Sequence, residues 1–168
     1  MNSTQISKKW IAAYTKPRHE KTVKVTLELN GFEVYLPMFK ERRKWSDRKK
    51  WVEFPLFKSY LFVKTKEKYS LDILETNGIV RIIKFGNNIA TIQDSIIDSL
   101  KVMIDGGYKP TPIDYFIKGD PVKVKEGPLK GLIGEVVRLD NDNRLVFRID
   151  AVQHSVSVKI DQGFLEAT

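Results

Sequence analysis

119-GDPVKVKEGPLKGLIGEV-136 sets two short β-branched runs, PVKVK and LIGEVV, on either side of a Gly-Pro turn. Its four glycines, Gly119, Gly127, Gly131 and Gly134, fall before the first strand, in the turn and inside the second strand. Glycines recur this way where a strand bends sharply or one backbone closes on another, because a Cβ would collide there. They are expected to serve folding alone. Two further runs, 144-RLVFRID-150 and 155-SVSVKI-160, follow across the DNDN and AVQH turns. About fifty residues of closely spaced strands with no helical period predict a small closed barrel over 118–168, a form that hides its edges.

Upstream, 105-DGGYKPTPIDY-115 has two glycines, two prolines and no periodicity, which marks 107–117 as a linker. Residues 1–106 alternate strands and helices. KWIAAYT at 9–15 reads as a buried strand. In 16-KPRHEKTVKVTLELNG-31, Pro17 just inside the start and Gly31 just past the end predict a helix. Val23, Val25, Leu27 and Leu29 give it a broad apolar face, with Lys16, Arg18, Lys21 and Lys24 in its opening turns. Strands are expected at 32–39, at 52–64 with Pro55 at an edge or bulge, and at 79–85. A short helix is expected over 68–76. Another runs from Asp94 to Gly106 with Ile96, Ile97, Leu100, Met103 and Ile104 as its stripe. This order predicts an α+β sandwich, a mostly antiparallel sheet flanked by helices.

Charge separates the two parts. Residues 1–107 hold 20 Lys/Arg against 12 Asp/Glu, the whole of the net +8, whereas 108–168 hold 9 of each. The first part suits a polyanion, since each neutralised phosphate releases counterions; the second suits a protein partner. There is no Cys, which excludes disulfides and thiolate metal sites and fits a reducing cytoplasm. No run approaches the ~18 apolar residues of a membrane span. MNSTQISKKW lacks the apolar core of a secretory signal. The two histidines, His19 and His154, lie far apart with no carboxylate cluster beside either, and HExxH, P-loop and GxSxG patterns are missing. The expectation is a cytoplasmic, non-enzymatic protein without metal or cofactor.

Three constellations remain. Between Lys40 and Lys50 lie seven basic residues and two acidic ones, with Trp45 and Trp51 flanking the Ser46–Lys50 stretch. This segment precedes the strand carrying Phe57 and Tyr60, so it reads as a long β-hairpin arm. Six residues apart, the two tryptophans are expected to share a face, with Trp51 packed inward. Arg42, Arg43, Lys44, Arg48, Lys49 and Lys50 then reach outward. Lys16, Arg18, His19 and Lys21 form a second basic edge, where free N–H groups of a helix start favour phosphate. Finally, 57-FKSYLF-62 places three aromatics within six residues, and aromatics with a polar tip are favoured interface anchors.

The 119–136 pattern resembles the KOW motif. 10-WIAAYTKPRHE-20, 53-EFPLFKSYLFV-63 and 78-GIVRIIKFG-86, followed by a helix, resemble the N-terminal (NGN) domain of the NusG family, in order and over nearly the whole chain. WSDRKKWVE, the compact length and TKPRHEK look closest to the UpxY-type antiterminators of polysaccharide operons in Bacteroidetes. The resemblance implies an NGN domain at 1–106 and an SH3-like KOW barrel at 118–168. It also implies a monomeric transcription elongation or antitermination factor that bridges the cleft of RNA polymerase and suppresses pausing. Its pocket for the β′ clamp helices would comprise Tyr14, Phe57, Tyr60, Phe62, Phe85 and Ile97. The two basic clusters would face the non-template DNA strand, leader nucleic acid or the opposite β lobe. The KOW domain would recruit Rho or a ribosomal protein, with Asp150, Ala151, Val152, Gln153 and His154 as its contact loop. One departure stands out: the family's usual Phe-Pro-Gly-Tyr is Phe57-Lys58-Ser59-Tyr60 here, which puts the turn backbone in question. Strand signals at Val156, Val158 and Ile160 favour the barrel over the helical hairpin of one specialised branch. Two other readings stay open at this point, a housekeeping NusG and a KOW-containing RNA- or ribosome-binding protein.

Overall fold

β1 (Lys9–Thr15) is a central strand of the first sheet, and its alternation decides what lies on each side. The computed structural model describes residues 7–108, 110–113, 119–139 and 141–168, in two compact units, Met1–Asp94 and Ser95–Thr168. In the first unit β1 pairs antiparallel with β5 (Tyr60–Thr65), β6 (Ile79–Ile82) and β9 (Thr91–Ile92), and β2 (Glu33–Tyr35) extends the sheet beyond β5. Ile11 and Ala13 point to one side with Leu61, Val63 and Ile82. There Val23 and Leu27 of α1 (Glu20–Leu29) and Ile73 of α2 (Ser70–Leu74) close the core. Trp10, Ala12 and Phe62 point to the other side and are also buried. The NusG-like α+β layering expected of this half is present.

Three differences have local causes. α1 starts at Glu20, not at Lys16, because Arg18 takes φ +65° and His19 N–H bonds Lys16 O at 3.1 Å. Lys16 to His19 therefore form a turn, and Pro17 lies within it. The apolar face of α1 is narrower than the spacing suggests, since Val25 and Leu29 are exposed. The expected strands at 32–39 and 52–64 each break: β2 gives way at Leu36-Pro37 to β3 (Met38–Trp45), and β4 (Arg48–Pro55) gives way at 56–59 to β5. Leu56 N–H bonds Pro37 O at 2.8 Å, so the two breaks lie side by side where the chain leaves the main sheet for the β3–β4 arm. β7 (Lys84–Phe85) and β8 (Asn88–Ile89) make a small hairpin around Gly86-Asn87.

In the second unit, α3 (Asp94–Asp105, its first residue closing the first unit) buries Ile97, Leu100 and Met103. The strands β10 (Thr111–Ile113), β11 (Asp120–Val124), β12 (Ile133–Leu139), β13 (Asp142–Ile149), β14 (His154–Lys159) and β15 (Leu165–Ala167) form one antiparallel sheet. Its order is β10-β14-β13-β12-β11-β15. Among the described residues Val122, Val124, Val137, Leu145, Val146, Phe147, Ile149, Val156 and Val158 are its buried apolar residues. Gly119 serves a close approach: a Cβ there would run into the Val136 carbonyl. β10 and β15 are additions to the expected strands. β10 lies in the stretch read as linker and is a strand because β14 offers it an edge, with Pro112 opposite Val156. The linker residues 109 and 114–117 lie outside the described residues. Among the described residues no helix is long and apolar enough to cross a membrane.

Gly78 locks α1 to the sheet. Its φ is +98°, and a Cβ would stand 2.7 Å from Val23 Cγ2, a side chain that is itself fully buried. Gly78→Ala is expected to cost about 1–3 kcal/mol, read as a lower denaturant midpoint at unchanged m-value.

Candidate polymerase and nucleic-acid surfaces

Aromatic rings run across the second side of the first sheet as cross-strand neighbours. Tyr35 stacks on Phe62 at 6.4 Å, Phe57 meets Phe62 edge-on at 6.0 Å, and Tyr14 meets Tyr60 edge-on at 5.1 Å. The register puts Tyr14 opposite Tyr60 on one strand and opposite Arg81 on the other. The Arg81 guanidinium lies 5.1 Å from the Tyr14 ring, within cation–π range. Phe57 and Phe62 are buried to 1% and 0% exposure, and Ile97 on α3 to 0%, so these three are core residues and not surface anchors. For Phe57 the 56–59 break sets the side chain against Phe62, whereas in a continuous strand its parity would place it on the side of Leu61 and Val63, so neither course makes it a surface residue. Tyr14 and Tyr60 are half-buried, and Phe85 is exposed on the β7–β8 hairpin. The accessible end of the row is Tyr60–Tyr14–Arg81. Arg81 carries no signal in the sequence because its role comes from register, which only the paired strands reveal.

The turn beside this end has kept a glycine's conformation without the glycine. Ser59 adopts φ +65° while buried, and its N–H donates to Glu20 Oε1 at 2.8 Å. Thr15 N–H reaches Ser59 O at 2.8 Å, and Lys16 N–H reaches Gly78 O at 2.8 Å. Glu20 is buried in the first turn of α1, so its carboxylate also lies at the favourable end of the helix dipole. Lys16, Arg18, His19 and Lys21 are all exposed around it. Arg18 and Lys21 line a concavity of about 650 Å³ together with Arg43 from the arm and Lys58 from the turn, over a floor that includes Met38 and Phe54. The two predicted basic clusters thus meet here, joined by Lys58, a cation outside both of them in the sequence.

The arm itself is a two-stranded sheet in register from Met38↔Pro55 to Trp45↔Arg48. Its two-residue loop is Ser46-Asp47, with Ser46 at φ +44°. Phe39 and Phe54 pack at 6.0 Å at its base, and Arg43 lies 4.3 Å over the Phe54 ring. All residues from Lys40 to Trp51 are exposed. Trp51 is therefore not packed inward: it is 60% exposed and Trp45 71%. Among the described residues no second layer covers this two-stranded ribbon. The tryptophans also leave opposite faces. Trp51 pairs with Arg42, three residues from Trp45, and an odd offset within one strand reverses the face. The six-residue spacing predicts a shared face only along a single strand, and here a turn intervenes.

The profile of the family described as transcription termination factor nusG matches residues 8–101, more than half of the 168. The chain belongs to the NusG family. Its place is therefore among the transcription factors of elongation and termination. A solved structure of Thermotoga maritima NusG is similar over 95% of this chain and 97% of that one, with a TM-score of 0.54 at 19% identity. That likeness shows the NusG fold. A structure of the MjSpt4:Spt5 complex aligns over 95% and 97% at 18% identity, but its TM-score of 0.29 adds nothing to the fold assignment.

In this NusG-family chain the loop after β13 is a single 3-10 turn, Asp150–Val152, closed by Gln153 at φ +51°. Ala151 and Val152 are buried, so only Asp150, Gln153 and His154 of the loop face solvent. The two apolar residues point inward because the turn needs them to join the β-sheet core.

Ser59→Gly should relieve the left-handed strain and raise stability by about 1 kcal/mol. Glu20→Ala strands the buried Ser59 N–H and should lower it by about 1–3 kcal/mol. Thermal melts of both variants against the parent protein check these signs.

Proposed function

We propose that this NusG-family protein is an operon-restricted antitermination factor of the UpxY type, which holds RNA polymerase in its pause-resistant state. The observation that carries this reading is the Tyr60–Tyr14–Arg81 end of the aromatic row, which is partly exposed beside a concavity ringed by Arg18, Lys21, Arg43 and Lys58. Rings with polar tips, backed by a rigid buried row, suit an anchor on the β′ clamp helices. Phe85, 51% exposed, supplies a second accessible aromatic on its own hairpin. The cations alongside suit the displaced non-template strand or leader nucleic acid, and the arm extends the same charge towards that strand or the opposite lobe. The functional domains are 1–106 and 118–168 joined through 107–117. The family match running to residue 101 supports counting most of α3 with the first. The second domain meets Rho or a ribosomal protein through Asp150, Gln153 and His154. The protein works as a cytoplasmic monomer and performs no catalysis.

Pull-down of RNA polymerase tests the anchor. Tyr14→Phe with Tyr60→Phe keeps the ring packing but removes the polar tips, and Arg81→Ala touches no core residue. Each change is expected to weaken association about tenfold or more, while the far-UV spectrum is retained. In transcription through a terminator, readthrough should rise only on templates carrying the 5′ leader of the neighbouring operon. Equal readthrough on all templates points to a housekeeping NusG. Absence of polymerase association by the unaltered protein sinks the proposal and leaves the RNA- or ribosome-binding reading.

A further inference from the structure

Two large indoles in water need a reason. Of the three tryptophans, Trp10 is core at 2% exposure, whereas Trp45 and Trp51 stand 71% and 60% exposed on an arm that has no second layer. Each lies directly opposite an arginine, Trp45 against Arg48 and Trp51 against Arg42. Arg42, Lys44, Arg48, Lys49 and Lys50 make no ion pair among the described residues, so their charge is unspent. Although the indoles leave opposite faces, both line one concavity of about 710 Å³ along the side of the arm, with Lys21, Lys40, Lys50 and Glu53. A two-stranded ribbon twists strongly, and long side chains reach round its edge.

From this juxtaposition we infer that the arm is a grip for an unpaired nucleic-acid strand, in which Trp45 and Trp51 each stack on a base and the surrounding lysines and arginines hold its phosphates. The inference deepens, and rests on, the reading of the arm as a nucleic-acid contact. Flat aromatic faces beside cations recognise bases that are free to leave the stack, and they do so without regard to sequence. Duplex DNA offers only its phosphates to the same surface. Glu53 pairs with Lys21 at 3.5 Å and Lys40 at 3.7 Å, keeping two lysines at the rim of the concavity until phosphates take its place.

The whole protein serves as its own probe, because the only tryptophan away from the arm is buried and gives a constant background. Titration with short oligo(dT), oligo(rU) and a duplex of equal length is expected to quench the fluorescence with either single strand and not with the duplex. Trp45→Ala and Trp51→Ala should each weaken single-strand binding about tenfold. Trp→Phe should recover part of the loss, and Glu53→Gln should bind several-fold more tightly. Tighter binding of oligo(dT) assigns the grip to displaced DNA, and tighter binding of oligo(rU) assigns it to transcript; both support the inference. Equal affinity for the duplex, or Trp→Ala variants that bind like the parent, overturns it in favour of plain polyanion attraction. Polymerase pull-down with the same variants keeps the two claims apart. Failure of oligonucleotide binding with polymerase association intact overturns the grip alone, whereas absence of polymerase association by the unaltered protein overturns the proposed function alone.

Discussion

The geometry of the basic end of the first unit depends on the Glu20 carboxylate, 7% exposed, which accepts the Ser59 N–H at 2.8 Å while Ser59 O takes the Thr15 N–H. That small network ties the end of β1, the start of α1 and the turn before β5 to one point. A buried carboxylate would be expensive without donors, and the donor it has is an N–H that its own left-handed backbone has turned inward. Each of the two groups thus removes the other's penalty. With this point held, Tyr60 follows at a defined position on β5 and the turn from Lys16 to His19 has little freedom.

The first unit thereby divides into a stiff surface and a loose one. The aromatic side is the packed one: Phe57 and Phe62 are buried in edge-on contact, and Tyr14 and Tyr60 meet edge-on across β1 and β5. The arm has the opposite character. It has cross-strand bonds and a Phe39–Phe54 contact at its root, and beyond that root none of the described residues covers it. A protein docking on a folded partner gains from the first kind of surface, since little ordering entropy remains to be lost.

Much of this is legible in the residues themselves. KWIAAYT, the charged hairpin and the four inner strands of the second unit all announce themselves through period-two alternation, glycine and charge. Where sequence and structure part, the deciding information is non-local. Phe57 reads as an anchor because the residue types of FKSYLF do not say which way the side chain faces at the turn before Tyr60, and the Leu56 N–H to Pro37 O bond across two segments marks where the chain breaks. Pro17 reads as a helix start because Arg18 betrays no preference for a positive φ. β10, and β15 likewise, have little strand signal of their own and exist by pairing to available edges. The tryptophan faces turn on counting through a loop, where one residue more or less inverts the result.

The absence of a covering layer over the arm has an evolutionary side. No residue from Lys40 to Trp51 contributes to a core, so the fold hardly constrains the tip. Substitution, lengthening or wholesale exchange beyond the Phe39–Phe54 root leaves the rest of the domain with the same packing and the same turn. Chains sharing this scaffold are therefore free to diverge at the tip while folding alike.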